Sequence, residues 1–140
     1  MRVWLYARLS NDDDREMNSL LNQQEICQAF AEQHGYIIVG QSFDDNISGM
    51  SFDRRGLDEL TAAVDADMID AVIVKDLSRL GRHRTQTALF IDYLREHQVR
   101  VISATEGVDT FRDEDDLIIG VRGLMNDYYA KDIGKKIRAM

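Results

Sequence analysis

The chain has no proline, a single cysteine in 140 residues, and no apolar run close to the roughly 20 residues that cross a bilayer. The lack of proline fits a compact domain without an extended hinge. Cys27 cannot close an internal disulfide, which suits a reducing compartment, and it reads as a small core residue on a helix. The opening residues, Met1 to Arg8, carry too short an apolar stretch and no small-residue cleavage site for a signal peptide, so a cytoplasmic protein is expected. There is no glycine-rich Walker loop to cradle a nucleotide. His34, His83 and His97 are scattered without metal-ligand spacing. Asp12, Asp13 and Asp14 read as a solvated turn, so neither metal nor cofactor is expected. A basic excess is missing too: 17 Lys and Arg stand against 25 Asp and Glu, a net charge of −8. Phosphate binders usually carry a basic footprint. Here it is local, with Lys75, Arg79, Arg82 and Arg84 against Asp76 alone in one segment, and Lys131, Lys135, Lys136 and Arg138 in the tail. Positive points on an acidic body suit a few precise phosphate contacts more than bulk attraction to a polyanion.

What is present is an alternation of short apolar runs and helical stretches. With 44% hydrophobic and 30% charged residues, the chain is long enough for one domain with its own core. Val3–Ala7 reads as a buried strand. A helix over about 18 to 34 follows, its apolar face formed by Leu20, Ile26, Cys27, Phe30 and Ala31, with Gly35 as its stop. Tyr36–Val39 is a second strand, rich in β-branched residues. Leu57, Leu60, Val64 and Met68 recur on one face of a helix. Ala71–Val74 is uniformly apolar, as a central parallel strand covered on both faces must be. Phe90, Ile91 and Leu94 mark a third helix, and Val99–Ala104 a further strand. The pattern predicts an α/β domain with a mostly parallel central sheet flanked by helices over 1–115. A long C-terminal helix follows over 116–140, with acids at its start, bases near its end, and an apolar face of Leu117, Val121, Leu124, Met125 and Tyr128. It either packs back on the sheet or projects toward a partner subunit.

In such sheets, sites lie beyond the carboxyl ends of strands. The segments there are Arg8–Arg15, Asp44–Arg55 and Asp76–Arg84, and each contains arginine. Tyr6, Arg8 and Ser10 share one face if the strand stays extended to Ser10. Arg79 and Arg82 share one face if the turn after Ala71–Val74 winds into a helix. Arg54 stands immediately before a helix. Phosphoryl transfer needs an in-line nucleophile and donors for the non-bridging oxygens. Arginine stays protonated, and its fork matches phosphate bidentately, so a metal-free site is built from several. Taken alone, Ser10 is more often a helix or turn cap than a nucleophile.

Tyr6-x-Arg8-x-Ser10, Ser19-Leu-Leu-Asn-Gln23, Asp45 with Ser48-Gly49, Asp53-Arg54-x-Gly56-Leu57 and Ser78-Arg79-Leu80-Gly81-Arg82, in this order, resemble the resolvase/invertase family of serine recombinases. The ending Tyr128 to Arg138 resembles the large serine recombinases of bacterial mobile elements. The resemblance implies cleavage and rejoining of double-stranded DNA at specific sites. Ser10 is the implied nucleophile, forming a 5′-phosphoserine without metal or ATP, while Arg8, Arg54, Arg79 and Arg82 bind the scissile phosphate. Tyr6, Gln23, Asp45, Ser48 and Ser78 are implied as support. The family acts as a homodimer on each site and a tetramer in synapsis, with the long final helix at the dimer interface, on the bacterial nucleoid and away from membranes. The chain ends where the family's DNA-binding region begins, so an isolated domain with weak DNA affinity is expected. One position departs: many small resolvases have Asp where this chain has Ser78. Asp76 is near in sequence but points differently if the segment is extended, so the acceptor of the Ser10 proton stays open. The competing readings are a receiver-like regulatory domain using Asp12–Asp14 and a metal-dependent nuclease. The first gives Arg79 and Arg82 no role; the second predicts sensitivity to a chelator.

Overall fold

A computed structural model of the chain describes residues 1–9, 19–45, 54–81 and 84–110. Ser10, Asp12–Asp14, Ser48, Arg82 and the C-terminal segment from 111 lie outside the described residues, and with them Leu117, Val121, Leu124, Met125 and Tyr128. The elements in order are β1 (Arg2–Leu9), α1 (Leu20–Gln33), β2 (Ile37–Asp45), α2 (Arg55–Asp65), β3 (Ala71–Val74), a 3-10 turn (Leu77–Leu80), α3 (Arg84–Glu96), β4 (Arg100–Ser103) and β5 (Val108–Asp109). The sheet order is β2-β1-β3-β4-β5. The first four strands are parallel, and β5 returns antiparallel to β4.

The layers follow from that order. A crossover between parallel strands is right-handed almost without exception. Stepping from β1 to β2 and then back past β1 to β3 reverses direction, so α1 and α2 must cover opposite faces. The step from β3 to β4 keeps the new direction, so α3 joins α2. The core divides accordingly. Val3, Leu5, Ala71, Ile73 and Ile102 pack with Cys27 and Ala31 of α1. Tyr6, Val72, Val74 and Val101 pack with Leu57, Leu60, Val64, Ile91 and Leu94 on the other side. Alternate residues of β1 and β3 thus feed different cores, as pleating requires. All four residues of β3 are buried, as its unbroken apolar run predicts. Each large aliphatic side chain buried here contributes about 1.5–3 kcal/mol.

Three expectations need correction. Met68 does not extend the α2 stripe: the helix ends at Asp65, Asp67 takes a left-handed backbone with φ 56°, and the chain turns. Ile69 is buried in its stead, while Met68 is exposed. The second strand continues six residues beyond Val39, to Asp45. It is an edge strand, so Ile37 and Phe43 stay exposed despite their β-branched and aromatic character. The apolar face of α1 is narrower than its sequence suggests, with Gln23, Cys27 and Ala31 as its buried residues. Its ends match more closely. Ser19 caps the first turn by accepting from the Asn22 amide at 3.0 Å, and Gly35 leaves the helix with φ 69°. β5 has only two residues, too few for a periodic signal.

Candidate active site

The reversal of strand order falls between β1 and β3. Their connections leave toward opposite faces, and a crevice opens at the carboxyl ends of such a pair. A cleft of about 260 Å³ lies there, and Tyr6, Arg8, Asp44, Arg54 and Arg79 line it together with the near face of α3. Three of the expected arginines, from three separate segments, therefore converge. Arg82 and Ser10, the nucleophile that the resemblance implies, fall outside the described residues. β1 runs to Leu9, so the extended conformation assumed for Tyr6 and Arg8 holds up to the residue before Ser10.

The β1 side of the cleft is densely bonded. The Gln23 side chain pairs with the Arg8 backbone as a neighbouring strand would, accepting from its amide at 3.1 Å and donating to its carbonyl at 2.8 Å. Gln23 is wholly buried, so each of these bonds forms away from competing water. Arg79 donates through Nη1 to the same Arg8 carbonyl at 2.8 Å. In return Arg8 reaches from β1 to the 3-10 turn, donating through Nη2 to the carbonyls of Ser78 and of Gly81, the latter at 2.9 Å. Arg8 and Arg79 are both buried. The two segments are laced to each other by their own arginines.

The turn itself is not extended. Asp76 is its N-cap, and its carboxylate accepts from the Ser78 amide at 3.1 Å, from the Ser78 hydroxyl, and from Arg79 Nη2 at 3.2 Å. The expectation that Asp76 points elsewhere rested on an extended segment; the 3-10 turn folds its carboxylate back over the residues that follow. The turn ends at Leu80 and Gly81 is extended; Arg82 lies outside the described residues. Ser78 is exposed and stays out of the cleft lining.

Asp45 is likewise exposed at the end of β2, whereas its neighbour Asp44 is 1% exposed. Asp44 was missed by sequence reasoning, and three donors surround it. Gly56 N at 2.7 Å and Leu57 N at 3.0 Å come from the first turn of α2, and the Tyr6 hydroxyl donates at 2.6 Å. A buried carboxylate needs such compensation, and the positive end of the helix supplies more. The available signal was the pleat: Ser42 and Asp44 fall on the inward face of β2, and Ser42 also bonds the α2 start, donating to the Gly56 carbonyl at 2.7 Å. Burial, and then the bond to Asp44, push the Tyr6 phenol well above its usual range. It stays protonated near neutrality and serves as a donor to Asp44. Gly56 permits the close approach, since a Cβ there would lie 2.3 Å from the Phe43 carbonyl oxygen.

Arg54 is the N-cap residue of α2 and makes no capping bond with its side chain. It is exposed and lines the cleft. Among the described residues no group of three or more His, Cys, Asp or Glu is arranged to hold a metal ion. No described helix is long and apolar enough to cross a membrane.

The profile of the family described as Resolvase, N terminal domain, matches residues 3–140. The transposon Tn3 resolvases of Escherichia coli and Klebsiella pneumoniae are each 30% identical over 122 residues, covering 86% of this chain and 60% of theirs. The chain thus spans about three fifths of the length of these curated relatives. A resolvase family site-specific recombinase from Streptococcus pneumoniae superimposes with a TM-score of 0.75 at 26% identity, over 99% of this chain and 94% of that one. The N-terminal catalytic domain of TP901-1 integrase shares the fold, with a TM-score of 0.72 at 22% identity over 93% of this chain and 97% of its own. An α/β sheet whose reversal point gathers Arg8, Arg54 and Arg79, and a family match across nearly its whole length, lead to one assignment: the chain belongs to the resolvase family, of which it carries the N-terminal domain.

Proposed function

We propose that this chain is the catalytic part of a serine-type, site-specific DNA recombinase. The observation that carries the reading is the convergence of Arg8, Arg54 and Arg79 in one cleft at the end of β1, whose next residue is Ser10. A scissile phosphate seated there meets guanidinium donors from three directions, which is what stabilising charge on its non-bridging oxygens demands. Ser10 Oγ attacks phosphorus, the bond to the 3′ oxygen breaks, and a 5′-phosphoserine holds the strand until a free hydroxyl reverses the step. Bond energy stays in the phosphoserine, so neither ATP nor a metal is consumed. Arg82 completes the arginine set, and Ser48, Asp45 and Ser78 flank it. The core over 1–115 performs the chemistry. The segment 116–140 forms a helix whose Leu117, Val121, Leu124, Met125 and Tyr128 pair two subunits. A homodimer then occupies each DNA site, and a tetramer forms in synapsis on the bacterial nucleoid. The competing receiver-like reading leaves the arginine cleft without a purpose.

The test fuses this chain to a sequence-specific DNA-binding module. It is then incubated in EDTA with nicked duplexes whose central segment is randomised between two module sites. A covalent protein–DNA adduct that disappears in Ser10→Ala is expected. An adduct that survives the substitution, or forms only with added metal, refutes the reading.

A further inference from the structure

We propose that Asp76 is a positioning residue of this site, the carboxylate that holds Arg79 in the orientation needed beside the scissile phosphate. The inference rests on the phosphate reading above. Arg79 is only 4% exposed, and a guanidinium that deep needs a compensating charge. Asp76 supplies it through one oxygen: Oδ2 accepts from Arg79 Nε at 3.3 Å and from Nη2 at 3.2 Å. This fixes the plane of the guanidinium and turns its remaining nitrogen, Nη1, to the Arg8 carbonyl at 2.8 Å. Arg8 is two residues before Ser10, so Asp76 acts along a short chain of contacts on the backbone that leads to the nucleophile.

The other carboxylate oxygen, Oδ1, takes the Ser78 amide and hydroxyl. Position 78 therefore carries a donor to the carboxylate, and the carboxylate itself comes from two residues earlier. The spacing works because the chain is extended at Asp76, with φ −147° and ψ 164°, and then enters a 3-10 turn that brings residues i and i+3 together. That turn has anchors other than the charge on Asp76. The Leu77 amide donates to Glu106 Oε1 at 2.9 Å, the Ser103 hydroxyl donates to the same oxygen at 2.8 Å, and Arg8 holds the Ser78 and Gly81 carbonyls. Asp76→Asn keeps an acceptor for Ser78 and removes the charge facing Arg79, so it separates orientation from folding.

The fusion protein and randomised duplexes described above serve for Asp76→Asn, Arg79→Lys and the double variant. The readouts are the single-turnover adduct rate at saturating DNA, the DNA concentration giving half-saturation, the melting temperature, and exchange of the Arg79 Nε–H by nitrogen-15 NMR. Asp76→Asn should slow the saturated rate about tenfold or more, as loss of a preorganised donor does. Half-saturation should stay within about twofold, and the melting temperature should fall by several degrees while unfolding stays cooperative, so that the rate is compared well below it. Exchange of the Arg79 Nε–H should quicken. In the Arg79→Lys background, Asp76→Asn should cost no more than about a further twofold, because both changes remove one interaction. A wild-type rate in Asp76→Asn overturns the inference, as does an equal loss in both backgrounds or a loss confined to DNA affinity. Failure of the wild type to form an adduct at all removes the phosphate reading instead, and the inference with it.

Discussion

The two walls of the cleft hold their arginines in different ways. On the β1 wall, Arg8 and Arg79 are buried and bonded to backbone carbonyls across 70 or more residues of sequence. On the α2 wall, Arg54 is exposed and makes no side-chain capping bond, at the start of a helix that Asp44 anchors. One wall is rigid by construction, so its donors would need little reorganisation to meet the phosphate of the proposed function. The other presents an open fork whose energy is realised only on binding. The same residue type is thus built into the fold on one side and left open on the other, and burial decides which.

The sharpest way to break this contrast is to truncate both sides. Arg79→Ala removes a buried cation, leaves Asp76 and the Arg8 carbonyl short of donors, and should cost about 3 kcal/mol in chemical denaturation. Arg54→Ala should leave stability within about 0.5 kcal/mol while suppressing adduct formation. Equal stability losses in the two variants would erase the distinction. A smaller effect sharpens the α2 side: Gly56→Ala drives a methyl group into the Phe43 backbone and should cost about 1–3 kcal/mol. It should slow cleavage without touching an arginine, measured as reduced adduct yield at temperatures where the fold is intact. An unchanged yield would detach Arg54 from the helix start.

The smallest effect lies beneath both walls, at Cys27. Burial pushes its thiol from 9.0 up to about 12. The unfolded chain ionises first, so this group's contribution is constant below about pH 9 and is lost as pH rises toward about 12. The gap in urea midpoint between wild type and Cys27→Ala should be constant up to about pH 9 and narrow only in that alkaline window, as the wild type falls faster. In the native protein the thiol should resist iodoacetamide at pH 8; rapid labelling there would contradict its burial.

How much of this was legible beforehand depends on how local the cause is. Ala71–Val74 announced a doubly covered strand because four apolar residues in a row need cover on both sides. Gly35 announced the end of α1. The arginines could be placed at one sheet edge because strand–helix alternation fixes which loops share it. Asp44 was not legible, because its burial depends on where β2 ends, and the apolar run alone stops at Val39. Ile69 took the place of Met68 because the helix ends three residues before Met68, at Asp65, and the apolar stripe does not mark that end. Gln23 was named from resemblance, yet its role on the Arg8 backbone depends on α1 meeting β1, a tertiary contact that periodicity does not encode.

Asp44 and Ser42 fasten the end of β2 to the beginning of α2 directly, by hydrogen bonds to the Gly56 and Leu57 amides and the Gly56 carbonyl. The chain leaves β2 and re-enters at α2 through points already joined, so residues 46–53 bridge ends that are held together without them. Lengthening such a segment costs little, since closure entropy grows only slowly with length. Residues added to that interval, away from Ser48, should therefore leave Arg54 at its address, so the length of the connection is uncoupled from the fold of the two ends it joins.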